Sequence, residues 1–140
     1  MGWTLIQDPI RVRSLGCSGP GYRVLAAWKR PKDFIVKKHF DVWIPALAPS
    51  HRLWELYASK NVPWTEFSAR YSQELNAPST QDILKPLALL SFRRPVVLLC
   101  ECSNHLRCPT AILAKALAQC RENGNFVLSQ QFSRTMRGPR

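Results

Sequence analysis

The feature that most constrains this chain is the run of residues 95–120, where an apolar, β-branched segment leads through a polar loop into an alanine- and leucine-rich segment. Residues 96–100 are short and continuously apolar, the pattern of a strand buried on both faces. Beyond the loop, Ile112, Leu113, Ala116, Leu117 and Cys120 recur at the spacing of one helical face. Strand, loop and helix in that order make half of a parallel βαβ unit. Ligands of open α/β sheets bind outside the carboxyl ends of such strands, so the loop is where a site is expected.

The rest of the chain supplies the other layers. Residues 3–12 read as a first strand, assigned to a sheet edge because Pro9 interrupts it. A turn over residues 16–21 leads to a second strand at 22–28. Residues 34–47 have helical character, ended or kinked by Pro45. Ser50 is placed to N-cap a short helix carrying Leu53, Trp54 and Tyr57 on one face. The next helix opens at Asn61-Val62-Pro63 and sets Trp64, Phe67, Tyr71 and Leu75 three or four apart. That spacing marks a core stripe rather than a platform for stacking bases. A third helix restarts at Pro78 and runs to Leu90, kinked or delayed by Pro86; the helix after the loop spans residues 109–122 and stops at Asn123-Gly124. Residues 125–128 read as a last short strand. The expected architecture is one α/β domain over residues 1–128, with a small, mainly parallel sheet of three or four strands flanked by helices. A basic, flexible tail is expected over residues 129–140.

Charge narrows the partners. The chain has 140 residues, with 20 Lys and Arg against 9 Asp and Glu, a net charge of +11. Such a balance attracts polyanions, nucleic acid foremost; solubility alone is the competing explanation. No stretch approaches membrane-spanning length, so no membrane partner is expected. The N-terminus lacks the basic-then-apolar order of a secretory signal. Five cysteines, an odd number, point to free or metal-bound thiols in a reducing, cytoplasmic setting.

Several segments together resemble the YeaO-like family of small bacterial and archaeal proteins, a domain of unknown function. The matching pieces are Gly21-Tyr22-Arg23-Val24-Leu25, Trp43 with Leu47-Ala48-Pro49-Ser50, and residues 53–57. Trp64, Phe67, Arg70-Tyr71 and Glu74-Leu75 fit the pattern W-x-x-F-x-x-R-Y-x-x-E-L, and Leu98-Leu99-Cys100 followed by Cys108 resembles the family's strand and loop. Two departures stand out. Where the family reads V-D-R-x-W-P-R-G, this chain has Ala26-Ala27-Trp28-Lys29-Arg30-Pro31-Lys32, without the acidic residue. The Cys-His-Arg of one branch is Cys108-Pro109-Thr110 here, so no imidazole or guanidinium stands at those two positions. The resemblance implies the fold more than an activity.

Three chemistries compete for the loop. A helix N-terminus holds anions through its free backbone N–H groups. In a parallel sheet the basic loop after the second strand lies at the same edge. Arg23, Lys29, Arg30, Lys32, Arg107 and Thr110 are therefore the expected ligand-binding residues for a phosphate-bearing polyanion, nucleic acid or nucleotide. Solvated surface cations are the competing explanation. Second, Cys108 directly precedes Pro109, a residue favoured at the first helical position. There the helix dipole, Arg107 and His105 favour a thiolate, making Cys108 and His105 the candidate catalytic pair of a thiol-dependent enzyme or redox protein. An inert capping thiol is the structural counterpart, and the spacing does not match a Cys-x5-Arg phosphate loop. Third, Cys100, Cys102, His105 and Cys108 are four possible zinc ligands. They crowd into nine residues, whereas structural zinc sites draw two ligands from each of two loops. Binding of a polyanion without a cofactor is the leading expectation, with zinc as the alternative.

Overall fold

The computed structural model describes residues 9–16, 19–29, 32, 36, 38–100 and 107–136, with side chains through residue 123. Four strands form one parallel sheet: β1 (Ile10–Ser14), β2 (Tyr22–Leu25), β3 (Val42–Trp43) and β4 (Val96–Cys100), in the spatial order β1-β4-β2-β3. Between β3 and β4 the chain passes through a 3-10 turn (Pro45–Leu47) and three helices, α1 (His51–Ala58), α2 (Trp64–Leu75) and α3 (Pro78–Leu90). After β4 comes α4 (Pro109–Met136). The expected α/β class, with a small parallel sheet flanked by helices, is what forms.

The register explains the two-sided apolar run of β4. Val96 lies between Ile10 and Tyr22, and Leu98 between Val12 and Val24. Successive strand residues point to opposite faces. Val24, Val96 and Leu98 therefore join the main core, made with Leu53, Phe67, Tyr71, Leu75, Leu84, Leu113 and Leu117 of the helices. Leu25, Val97 and Leu99 form a second, smaller cluster with Phe40, packed by Leu15 and Ala27. All five residues of β4 are buried. Only an inner strand covered on both faces can be apolar throughout, which is why this segment was legible in the sequence.

The helix starts follow local chemistry. Ser50 caps α1, its Oγ accepting from the Leu53 N–H at 3.3 Å. The stripe on α2 is core: Phe67, Tyr71 and Leu75 are buried. Phe67 is the hub of an aromatic group, with ring centroids 4.7 Å from Tyr57, 5.4 Å from Trp64 and 6.1 Å from Trp54. Each such pair contributes about 0.5–1.5 kcal/mol beyond the area it buries.

Four expectations change. Val42–Trp43, inside the expected 34–47 helix, is a strand that pairs with Val24 and Leu25. Its approach is set by Arg23, whose backbone N–H and guanidinium both donate to the Asp41 carboxylate, a tertiary contact that outweighs local helical pattern. Strand β2 closes at Leu25 rather than at residue 28. Helix α3 begins at Pro78, so its start is not delayed, and Pro86 lies inside it, where it removes the hydrogen bond to the carbonyl four residues back and its ring crowds that carbonyl. Finally, α4 does not stop at Asn123-Gly124, and residues 125–128 are helical, not a strand. Glycine in a helix interior costs about 1 kcal/mol, too little to end a helix by itself. Residues 129–136 of the expected tail continue the same helical backbone, and 137–140 lie outside the described residues. The first-strand residues 3–8 also lie outside them; β1 is nevertheless an edge strand, as Pro9 implied.

Candidate functional site

The carboxyl edge of the sheet is built by two central strands ending side by side. Leu25 of β2 pairs with Leu99 of β4, and Cys100 follows as the last residue of β4. From Leu25 the chain turns out through Ala26, Ala27, Trp28 and Lys29. The Ile44 N–H donates to the Leu25 carbonyl at 2.9 Å, and the Trp43 indole N–H donates to the Ala27 carbonyl. These two bonds hold the exit of β2 against the start of the 3-10 turn. Below it, the buried Tyr71 hydroxyl donates to the Leu47 carbonyl at 2.6 Å, fixing Ala48 and Pro49.

What results is a cavity of about 340 Å³, lined by Leu25, Ala26, Ala27, Trp28, Lys29, Ala48, Pro49, Trp54, Leu99, Cys100, Pro109 and Thr110. The floor is apolar. Two indoles and a lysine stand at its walls, and the first turn of α4 forms one side. The amino end of a helix carries the positive pole of its dipole, so this wall is electropositive before any side chain is counted. A second cavity of about 470 Å³ shares Trp28, Ala48 and Pro49 with the first and is lined also by Ser50, His51 and Glu74. Trp28 lines both, its ring 4.5 Å from that of His51.

The candidate residues divide. Lys29 and Thr110 line the cavity, and so does Cys100 from the zinc set. Lys32 and Arg107 are exposed and are not among the described lining residues. Arg23 sits within β2, where its Nε lies 3.3 Å from Asp41 Oδ2 and an Nη donates to the Lys38 carbonyl at 2.8 Å. Burial works against the Asp41 charge, but the hydrogen bonds from Arg23 and the charges of Arg23 and Arg94 overcome it, holding the carboxyl below its usual range. Cys108 stands directly before α4 and is 1% exposed; its carbonyl accepts the Ala111 N–H at 3.0 Å. Arg30, Cys102 and His105 lie outside the described residues. Among the described residues no three His, Cys, Asp or Glu side chains converge as a metal site.

The sequence reading missed Trp28, Trp54, Ala48 and Pro49. Trp28 had a signal, since it sits between the apolar end of β2 and the basic loop. Trp54 had none: its helical spacing with Leu53 and Tyr57 marks it for the core, and it serves the cavity as well.

These features define a parallel α/β domain with an aromatic-walled cavity where its two central strands end. The family model described as the active DUF488-N3 subclade matches residues 9–121, from the residue before β1 into α4. The chain belongs to that family, a domain of unknown function. No curated protein and no solved structure matches it. Among the described residues, no helix is long and apolar enough to cross a membrane.

Proposed function

We propose that this protein binds a phosphate-bearing ligand, a nucleotide in preference to longer nucleic acid, at the carboxyl edge of its sheet. The observation that carries the reading is the 340 Å³ cavity bounded at once by Trp28, Trp54, Lys29 and the first turn of α4. Its volume lies in the range of small-molecule sites and is too small for a duplex. Indole faces suit a base, and a lysine beside a helix N-terminus suits a phosphate. The net charge of +11 draws anionic ligands to the surface. Within its family we read the chain as YeaO-like, on the Trp64, Phe67, Arg70-Tyr71 and Glu74-Leu75 pattern.

Calorimetric titration of the full chain with AMP, ATP, adenosine and inorganic phosphate tests this. AMP and ATP are expected to bind at least about tenfold more tightly than adenosine, a difference of about 1.4 kcal/mol. Lys29→Ala is expected to remove most of that preference. Equal binding of AMP and adenosine, or full AMP binding by Lys29→Ala, overturns the reading.

A thiol-dependent enzyme or redox protein acting through Cys108 is the second reading. It draws on the place of Cys108 before α4 and on the family description, which calls this subclade active. Native-state alkylation decides it: a nucleophilic Cys108 reacts with iodoacetamide near neutral pH far faster than Cys120, whereas a capping thiol that is 1% exposed does not.

A further inference from the structure

At the opposite edge of the sheet, where the strands begin, arginines are laid on aromatic rings. Helix α3 ends at Leu90, and the segment Ser91-Phe92-Arg93-Arg94-Pro95 leads from it straight into β4. The Arg121 guanidinium carbon lies 4.1 Å from the Phe92 ring centroid, and its Nε donates to Ser91 Oγ at 3.0 Å. Ser91 is fully buried and donates in turn to the Ala88 carbonyl at 2.6 Å, so the position of Arg121 is tied to the core. The Arg94 guanidinium carbon lies 5.8 Å from the ring centroid of Tyr22, the first residue of β2. Phe92 and Leu89 remain 36% and 45% exposed.

The acidic groups nearby neutralise this patch only in part. Asp41 is bound by Arg23 while its charge also acts on Arg94, Asp82 pairs with Lys85 at 3.9 Å, and Glu122 is exposed beside Arg121 on α4. Among the described residues, none of Arg93, Arg94 and Arg121 lies within ion-pair distance of a carboxylate. A guanidinium stacked on a ring keeps its peripheral N–H groups for a phosphate, in the planar fork that phosphate oxygens match. Exposed aromatic and apolar faces beside such cations are what unpaired bases stack on.

We propose that Phe92, Arg93, Arg94 and Arg121 form a binding surface for single-stranded nucleic acid. It is separate from the cavity: β4 alone, five residues long, spans about 16 Å between the two edges, beyond the reach of one mononucleotide. A single strand is favoured over a duplex because only unpaired bases can reach Phe92 and Leu89. Charge complementarity selects the partner class, and stacking selects the strand state.

Fluorescence anisotropy of the full chain with a labelled twelve-residue oligothymidylate, its duplex and phosphatidylserine vesicles, across about 50–200 mM salt, tests the surface. The single strand is expected to bind more tightly than the duplex. The exposed-site double variant R93Q/R94Q is expected to reduce the logarithmic salt slope by about 1.4, at about 0.7 per phosphate contact on a single strand. Phe92→Leu keeps an apolar side chain and is expected to weaken binding about 5- to 10-fold without changing the slope. An unchanged slope in R93Q/R94Q, duplex bound as tightly as single strand, or binding to vesicles alone each overturns the proposal. Circular dichroism and urea midpoints of the variants separate lost binding from lost folding. Phe92, Arg93 and Arg94 do not line the cavity, so the effect of these variants is read apart from the nucleotide reading, which Lys29→Ala tests.

Discussion

Glu74 of α2 reaches across to Ser50 at the start of α1, accepting from its backbone N–H at 2.8 Å and from its hydroxyl at 2.5 Å. The same hydroxyl accepts from the Leu53 N–H. In an ordinary capping box the acid stands three residues after the cap; here that position is Leu53, and the acid comes from another helix. One carboxylate thus completes a helix start and joins two helices beside the second cavity.

Loss of either partner is therefore expected to cost more than an isolated cap. Ser50→Ala and Glu74→Ala should each destabilise the fold by about 1–2 kcal/mol, and the double variant by clearly less than their sum. Urea unfolding of the three variants measures this; simple additivity would mean that the two side chains act independently.

Gly21, directly before β2, leaves no room for a side chain. Its φ is +125°, and a Cβ there would lie 2.8 Å from Val97 Cγ2 and 2.9 Å from the Pro95 carbonyl oxygen. Gly21→Ala should destabilise by about 2–4 kcal/mol through backbone strain and overpacking together. Gly19, at φ +154° with nothing within 4 Å, pays only the strain, so Gly19→Ala should cost about 1 kcal/mol. Comparison of the two urea midpoints checks the difference.

Tyr71 links stability to alkaline pH. Burial pushes its hydroxyl far above the ordinary value of 10.0, and the charges of Glu74 and Cys108 push the same way. Cys120 is also raised by burial, partly offset by Lys85. With folded values above unfolded ones, the unfolded chain releases protons first, so stability is full below about pH 9 and falls as pH rises beyond it. Tyr71→Phe should flatten that decline above pH 10 while costing about 1–2 kcal/mol at neutral pH, because the Leu47 carbonyl loses its donor. Urea midpoints at pH 7 and pH 10.5 read both effects.

Asp41 acts at the acid end with the opposite sign. Its folded value lies below the ordinary 3.8, so its contribution is present above that pH and is lost as pH falls through the folded value. Arg23→Gln should raise the Asp41 titration and shift acid unfolding to higher pH, at a neutral-pH cost of about 2 kcal/mol. Carbon NMR of the Asp41 carboxyl follows the titration. An unshifted value would show that Arg23 does not hold the charge.

What could be read from sequence was whatever the chain specifies within one element. The apolar run of β4, the Ser50 cap, the Phe67-Tyr71-Leu75 stripe and the start of α4 each follow from burial period or end chemistry. They placed the parallel sheet and its carboxyl edge, and Lys29 and Thr110 on that edge. Tertiary structure alone decided β3, because Val42–Trp43 is extended only where β2 lies beside it and Arg23 grips Asp41. It also decided that Trp28 and Trp54, far apart in the chain, wall one cavity, and that Glu74 rather than a residue of α1 completes the Ser50 cap. Periodicity and capping are properties of neighbours along the chain; contacts between residues brought together by packing leave no period to read.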